Sequence, residues 1–411
     1  MTHARITPRK CRRAFVLGLA AATMSAALSA CGDGDSDSKG SSGEFLVGTV
    51  QSLSGPFETV GKDTLNGLKA EADILNAKGG ILGRKIRIVS KDDGSDESRA
   101  ISAAQQMIQS QKLDLFVPST VLGPTQLPFA KNVLSVNLCT SPDCGDGKKF
   151  PLTFSANLPA ESSIPAVLAY IQKQGLKRVG VLAQQTESGQ SFDKTIGKLA
   201  PKYGLKVVGS EFFDPTATKT DAQVQKLRAA GADVVAGWAI GSTLGLAASS
   251  LQSLDWDVPL VGPPAIFTGD TNSLVPAKVA SQITCACYSV GVRTGSTVPE
   301  EVAPLVKAVG KYAKPTSLVV SAVAADTLAL ANYGFTKAGK VDSKAAANAL
   351  AKIGADSDYP AEDFWVFRHA NPAYHGTVHS PLDADLSNGF FSVAHPGETV
   401  GGTYPGKPLT F

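Results

Sequence analysis

The chain has 411 residues, 43% of them hydrophobic and 18% charged, with a formal net charge of +3. That is long enough for two domains with real cores, and no basic run with interleaved aromatics offers a face to nucleic acid. The positive balance is concentrated at the start: Arg5, Arg9, Lys10, Arg12 and Arg13 precede an uncharged stretch, and without those five the 34 remaining basic residues face 36 acidic ones, a net charge of −2.

Residues 1–30 combine that basic segment with a short apolar run, Ala14 to Ala30, and small residues before a cut site, the pattern of an export signal. The run is short and alanine-rich for a membrane span. Its end, Leu28-Ser29-Ala30-Cys31, resembles the lipobox of bacterial lipoproteins. The resemblance implies that Cys31 becomes the new N-terminus and carries lipid; an ordinary signal peptide with a chance cysteine is the alternative. Cys11 to Val16 also resembles a twin-arginine signal, without the usual Ser or Thr before the arginines, so the export route stays open. Residues 31–43 hold almost nothing to bury and read as a flexible polar linker. No later stretch reads as long and apolar enough to cross a bilayer, so the expected membrane contact is the lipid anchor.

From residue 44 strands and helices alternate. Glu44 to Val50 is an apolar run of strand length. Leu65, Leu68, Ala72 and Leu75 recur at helical spacing, and Gly79-Gly80 marks the stop. Lys85 to Ser90 alternates as a strand, Ser98 to Gln111 reads as a helix, and Leu113 to Ser119 as the next strand. The theme repeats: strand 178–185, helix 191–204, strand 206–213, helix 221–232, strand 233–240, helix 242–255, strand 258–264. About ten strands interleaved with helices predict two mostly parallel sheets covered on both faces.

The glycine cluster Gly79, Gly80 and Gly83 invites a phosphate-loop reading. Such a loop must leave a strand and open a helix, so that free N–H groups point at the anion. This one leaves a helix and enters a strand, so it is a connector. Gly334 to Val341 nearly spells another phosphate loop, but Val341 stands where a hydroxyl is needed and the preceding segment reads as a helix, which makes Gly339 a helix cap. His375 and His379 have helical zinc spacing, yet Pro372 and Gly376 argue against a helix; with His369 and His395 they read as loop histidines and no metal is expected. Asp92-Asp93 ends a strand before Gly94 and reads as a turn, not a catalytic pair. No nucleophile elbow is present. Outside the cytoplasm Cys139 and Cys144, flanking a turn-rich loop, are a plausible disulfide. Cys285 and Cys287 share one face of a strand, as a tight bridge or as two buried thiols.

Residues 52–108 resemble the start of the leucine/branched-chain amino-acid-binding protein family, the extracytoplasmic receptors of ABC importers. The matching features are Ser54-Gly55-Pro56, Gly61, Asn66-Gly67, Asn76 with Gly79-Gly80 and Gly83, and Asp92-Asp93. The similarity continues more weakly to about residue 355 and fades beyond. It implies an α/β, two-lobed type I periplasmic-binding-protein fold, each lobe a mostly parallel sheet flanked by helices, with a hinged cleft between. Lobe 1 is expected over residues 44–157 plus 292–359, and lobe 2 over 158–291 plus 360–411. The implied function is a monomeric receptor, not an enzyme and without a cofactor. It would capture a small-molecule solute by hinge closure and hand it to ABC permease and ATPase subunits. A ligand sensor that signals to a membrane partner without transport is the runner-up, and an exported hydrolase lacks its nucleophile motif. General physics agrees on the place: ligands of open α/β sheets sit at the carboxyl ends of strands, and clamshell closure is a recognised switching mode.

The resemblance also implies site residues. In the family the loop after the third strand offers backbone N–H groups, and often a serine, to a ligand carboxylate. Here that loop is Pro118 to Gln126, the serine position falls at Leu122, and Gly123 can still present its N–H. The second loop, Asn137 to Cys144, offers Cys139 and Thr140. The family acid that pairs with the ligand amine falls at Pro264, and its flanking tyrosines fall at Val60, Ser188 and Ile240. A buried ammonium needs an acid or several carbonyls, and only Glu187, beside Ser188, is a substitute. Val60, Leu122, Ile240 and Phe267 would give an apolar pocket. The expected ligand is therefore not a standard α-amino acid but a small apolar or aromatic acid, or an amide.

Overall fold

A computed structural model describes residues 43–141, 144, 146–158, 160–353, 361–366 and 390–409. The expected export signal, Cys31 and most of the linker, and His369, His375 and His379, lie outside the described residues.

Five strands form the first sheet: β1 (Phe45–Gln51), β2 (Ile86–Asp92), β3 (Leu115–Val117), β4 (Leu134–Asn137) and β5 (Thr153–Ser155). They run parallel in the order β2-β1-β3-β4-β5. The second sheet holds β6 (Arg178–Gln184), β7 (Lys206–Phe213), β8 (Val234–Trp238), β9 (Leu260–Gly262), β10 (Ile283–Tyr288), β11 (Val292–Arg293), β12 (Phe391–Ala394) and β13 (Tyr404–Pro408). Its order is β11-β13-β12-β10-β9-β8-β6-β7, parallel from β7 to β10 and antiparallel where β12 meets β10 and β13. The central strands are buried along their length, β8 at every residue, because helices cover both faces of a parallel sheet.

The covering helices are α1 (Glu58–Ala77), α2 (Glu97–Ser110), α3 (Gly123–Gln126), α4 (Ala160–Lys173), α5 (Glu187–Leu199), α6 (Asp221–Ala229), α7 (Thr243–Ser253), α8 (Thr271–Leu274), α9 (Ala303–Val309), α10 (Leu318–Ala338) and α11 (Ser343–Leu350). Their starts follow from cap chemistry. Asp96 accepts the Arg99 N–H at 2.8 Å ahead of α2, Thr186 the Gly189 N–H at 3.1 Å ahead of α5, and Asp342 the Ala345 N–H at 2.8 Å ahead of α11. Gly79 and Gly80 follow α1 and lead through the Ile81–Arg84 bridge into β2, so this cluster is a connector. Gly339 closes α10 in the left-handed conformation, φ 66°, which sets Gly334 to Val341 at a helix end.

One sequence expectation is corrected. α10 is long and apolar enough to cross a membrane by composition, with a window hydropathy of 1.4, yet 94% of that window is buried inside the protein. It is the central helix of the first core, packed along α1. The two backbones approach so closely that a Cβ at Gly67 would lie 2.2 Å from the Ser321 carbonyl oxygen. Asp63 ties the same pair: its carboxylate accepts the Ser317 N–H at 2.9 Å and the Thr316 hydroxyl, at the start of α10. Burial pushes that carboxyl up to about 6 against those bonds.

Cys139 and Cys144 are bonded, S–S 2.07 Å, and Cys285 and Cys287 are bonded along β10. Near the C-terminus β12 and β13 complete the second sheet, whereas residues 361–366 hang on the helices of the first. There the Trp365 and Val366 N–H groups donate to buried Asp326 at 2.7 and 2.8 Å, and the Trp365 indole donates to Glu71 at 3.0 Å.

Candidate functional site

The carboxyl ends of β3, β4, β5, β8 and β9 and the loops after them face a common cleft. It holds about 630 Å³ of space not filled by atoms, solvent at its mouth included. From the first-sheet side come Val60 of α1, Thr120 and Val121 of the loop after β3, and Leu138 and Thr140 of the loop after β4. From the second come Trp238 and Ile240 at the end of β8 and Pro263, Pro264, Ala265 and Thr268 after β9. Tyr288, Asn157 and the first turns of α10, with Val319, Val320 and Val323, close the back. Among the described residues, no aspartate, glutamate, lysine, arginine or histidine belongs to the lining.

Of the residues picked from sequence, Val60, Thr140, Ile240 and Pro264 line the cavity. Ser188 sits at its rim, where the Thr140 hydroxyl donates to the Ser188 hydroxyl at 3.1 Å, a bond between the loop after β4 and α5. Leu122 and Gly123 open α3 behind the wall, and Cys139 is held in its disulfide beside Thr140. Phe267 is fully buried against the Tyr404 ring, centroids 4.6 Å apart, in the second core. Glu187 is exposed in the first turn of α5 and outside the lining.

The polar groups of the cleft are mostly spent on each other. Tyr288 donates to Asn157 Oδ1 at 3.0 Å while Asn157 Nδ2 donates to the Leu138 carbonyl at 2.8 Å. Burial raises the Tyr288 phenol far above its ordinary value, so it stays protonated. Thr268 donates to the Ala265 carbonyl at 2.8 Å and accepts the Gly241 N–H at 3.0 Å. In the loop after β3 the Ser119 N–H goes to Gln126 Oε1 at 3.1 Å, the Thr120 N–H to Gln51 Oε1 at 3.2 Å, and the Leu122 N–H to the Ser119 hydroxyl at 3.2 Å. Asp92 likewise serves a turn: it accepts Leu53 N–H, Ser54 hydroxyl and Gly94 N–H, at 2.8, 2.7 and 2.7 Å.

Opposite sides of the cleft meet at a second point. The Ser242 hydroxyl donates to the Pro56 carbonyl at 3.3 Å, beside Gly241 in the left-handed conformation, φ 64°. A Cβ on Gly241 would lie 2.9 Å from that carbonyl oxygen and 3.8 Å from Val60. The sequence reading passed over Trp238, Tyr288 and the valines of α10. Trp238 was within reach, since it ends a buried strand on the side where α/β sheets bind ligands.

Two α/β sheets whose strand ends share a solute-sized cleft define a binding protein of the two-lobed kind. A family model described as periplasmic binding protein matches residues 45–377, and the chain belongs to that family, as a type I member of the branched-chain amino-acid-binding group. The family comprises extracytoplasmic ligand-binding proteins, not enzymes. Leu/Ile/Val-binding protein homolog 7 of Brucella suis is 24% identical over 207 residues, 47% of this chain and 52% of that protein. The chain thus spans about half the length of the curated relatives it matches. A periplasmic binding protein type 1 from Bordetella pertussis superposes with a TM-score of 0.73 at 20% identity, over 89% of this chain and 100% of that one. An ABC-transporter solute-binding protein from R. palustris, solved with benzoate, superposes with a TM-score of 0.63 at 18% identity, over 74% and 85%.

Proposed function

We propose that the chain is the extracytoplasmic solute-binding receptor of an ABC importer, tethered through lipid on Cys31 and closing its cleft around a small organic solute that is not a standard α-amino acid. It would act as a monomer that delivers the solute to permease and ATPase subunits. The observation that carries the ligand reading is the lining itself: Pro264 stands in the cavity wall and, among the described residues, no carboxylate lines it. An α-ammonium buried there would have no counter-charge, a cost of several kcal/mol on the order expected for an unpaired buried ion. Apolar walls from Val60, Ile240, Pro263 and the α10 valines suit a hydrocarbon or aromatic body instead. The benzoate held by the R. palustris relative supports the view that this fold accommodates such bodies.

A thermal-shift screen tests the reading. A ligand bound only by the folded state stabilises it by roughly 2.7 kcal/mol at a hundredfold excess over Kd. Apolar and aromatic solutes are expected to raise the midpoint, and leucine, isoleucine and valine to leave it unchanged; a shift with leucine overturns the ligand class. The anchor is tested by Cys31→Ser, which is expected to move the protein from the membrane fraction to the soluble one.

A further inference from the structure

Gln51 is a fully buried amide at the carboxyl end of β1. Its Nε2 donates to the Thr49 hydroxyl at 2.9 Å and to the Pro118 carbonyl at 3.0 Å. Its Oε1 accepts the Thr120 N–H at 3.2 Å and the Thr120 hydroxyl at 3.3 Å. That uses every hydrogen-bonding site of a carboxamide. The partners also fix which way the amide points. The Thr49 hydroxyl donates to the Val117 carbonyl at 2.8 Å and so accepts from Gln51, while the Pro118 carbonyl can only accept and the Thr120 N–H can only donate.

The backbone ladder between β1 and β3 ends at the pair Thr49–Val117. Beyond it the Gln51 side chain does what a strand would do, pairing the Pro118 carbonyl and the Thr120 N–H of the departing chain. Gln126 pairs the residue between them, its Oε1 accepting the Ser119 N–H at 3.1 Å. α1 holds the same loop from another side, where the Thr64 and Thr120 hydroxyls lie 2.8 Å apart. The residues so held, Thr120 and Val121, are in the cavity wall, and Gln51 is not. Burying an amide costs free energy unless its groups are paired, and an aliphatic side chain would fill the place without that demand. What only the amide supplies is a fixed exit for the loop.

Resting on the receptor reading above, we propose that Gln51 is a positioning residue for solute binding: without touching the solute, it holds the loop after β3 in the course that completes the cavity wall, and solute affinity depends on that amide.

The test titrates benzamide, benzoate and leucine calorimetrically into the full chain, and whichever binds most tightly becomes the probe. Gln51→Met keeps the length of the side chain and loses its bonds; it is expected to stay folded and to bind the probe about tenfold more weakly. Gln51→Glu gives a signature that lost stability alone would not. A neutral carboxyl group can accept the Thr120 N–H and donate to the Pro118 carbonyl, whereas a carboxylate can only accept. Burial pushes the introduced carboxyl up, as do Asp92, opposite in the β1–β2 register, and Asp93 beside it. The affinity of Gln51→Glu relative to the native chain is therefore expected to be within about threefold at about pH 5.5 and to fall about tenfold by about pH 8.5. Asp63 and Glu71 titrate in both chains and cancel in that ratio. A Gln51→Met variant that binds within about twofold of the native chain, or a Gln51→Glu ratio that does not change with pH, overturns the proposal. If neither variant folds, hydrogen exchange on the native chain decides: the Thr120 amide is expected to be protected like the amides of β3, and exchange at the rate of a free loop amide overturns the proposal. Leucine as the probe removes the ligand class and leaves this inference to the same ratios; a native chain that binds none of the three removes both.

Discussion

Glu71 is buried on α1, where it accepts the Trp365 indole N–H at 3.0 Å. Burial pushes its carboxyl up to about 7 from an ordinary 4.5, outweighing that bond and the attraction of Lys78. Because the folded state holds the proton where the unfolded chain has released it, stability falls as pH rises through the window from about 4.5 to about 7 and is level above it. Glu71→Gln removes this dependence. The native chain should lose up to about 3 kcal/mol relative to the variant across the window, read as the difference between their unfolding free energies at pH steps. An unchanging difference would mean that Glu71 ionises as freely in the fold as outside it. The same scale shows where the sequence stops informing. Val60, Ile240 and Pro264 reach the cavity because alignment to a family pattern transfers backbone position. Leu122, Phe267 and Glu187 lie behind or beside the wall because alignment does not transfer side-chain direction. That the Trp238 indole has no acceptor among the described residues is invisible in sequence, since it is a property of every neighbour at once.

Elements long enough to show a period were legible. α1, β2, α2 and the run from β6 to β9 could be read from apolar spacing, and the polarity of the Gly79–Gly83 connector excluded a phosphate loop. β4 and β5, at 4 and 3 residues, are too short to show a period, and β12 and β13 return antiparallel through a stretch rich in Pro and Gly. α10 was read as a helix, but its reach into the cleft through Val319, Val320 and Val323 comes only from its packing on α1. That packing gives a direct test. Gly67→Ala puts a methyl group 2.2 Å from the Ser321 carbonyl oxygen, and separating two packed helices should cost about 1–3 kcal/mol in denaturant unfolding. A variant as stable as the native chain would show that the helices do not meet there. The loop after β4 gives another. Its Cys139–Cys144 bond closes a short loop over Leu127 and Phe150 and holds Thr140 at the rim. Replacing both cysteines by serine should cost about 2 kcal/mol of stability and weaken solute binding as well. Lost stability with unchanged affinity would mean that Thr140 is positioned by its strand alone.

At the scale of the whole molecule, the two sheets meet across the cleft at the Thr140–Ser188 and Pro56–Ser242 bonds, and the walls between them are apolar. In the proposed receptor, an apolar solute would displace water from the cavity beneath those rim contacts. Gly241 is the residue whose size decides whether the rim can meet: it holds φ 64°, with the Pro56 carbonyl oxygen 2.9 Å from where a Cβ would stand. A side chain there is strained in its backbone and also pushes the two loops apart.

The most direct measurement is a calorimetric titration of the strongest-shifting uncharged solute into the native chain and into Gly241→Ala, with leucine titrated in parallel. Saturable one-to-one binding to the native chain is expected, with binding about tenfold weaker to Gly241→Ala from the roughly 1–2 kcal/mol strain of a left-handed alanine, and no saturable heat from leucine. Leucine binding as tightly as the uncharged solute, or a Gly241→Ala variant that binds like the native chain, would contradict this expectation.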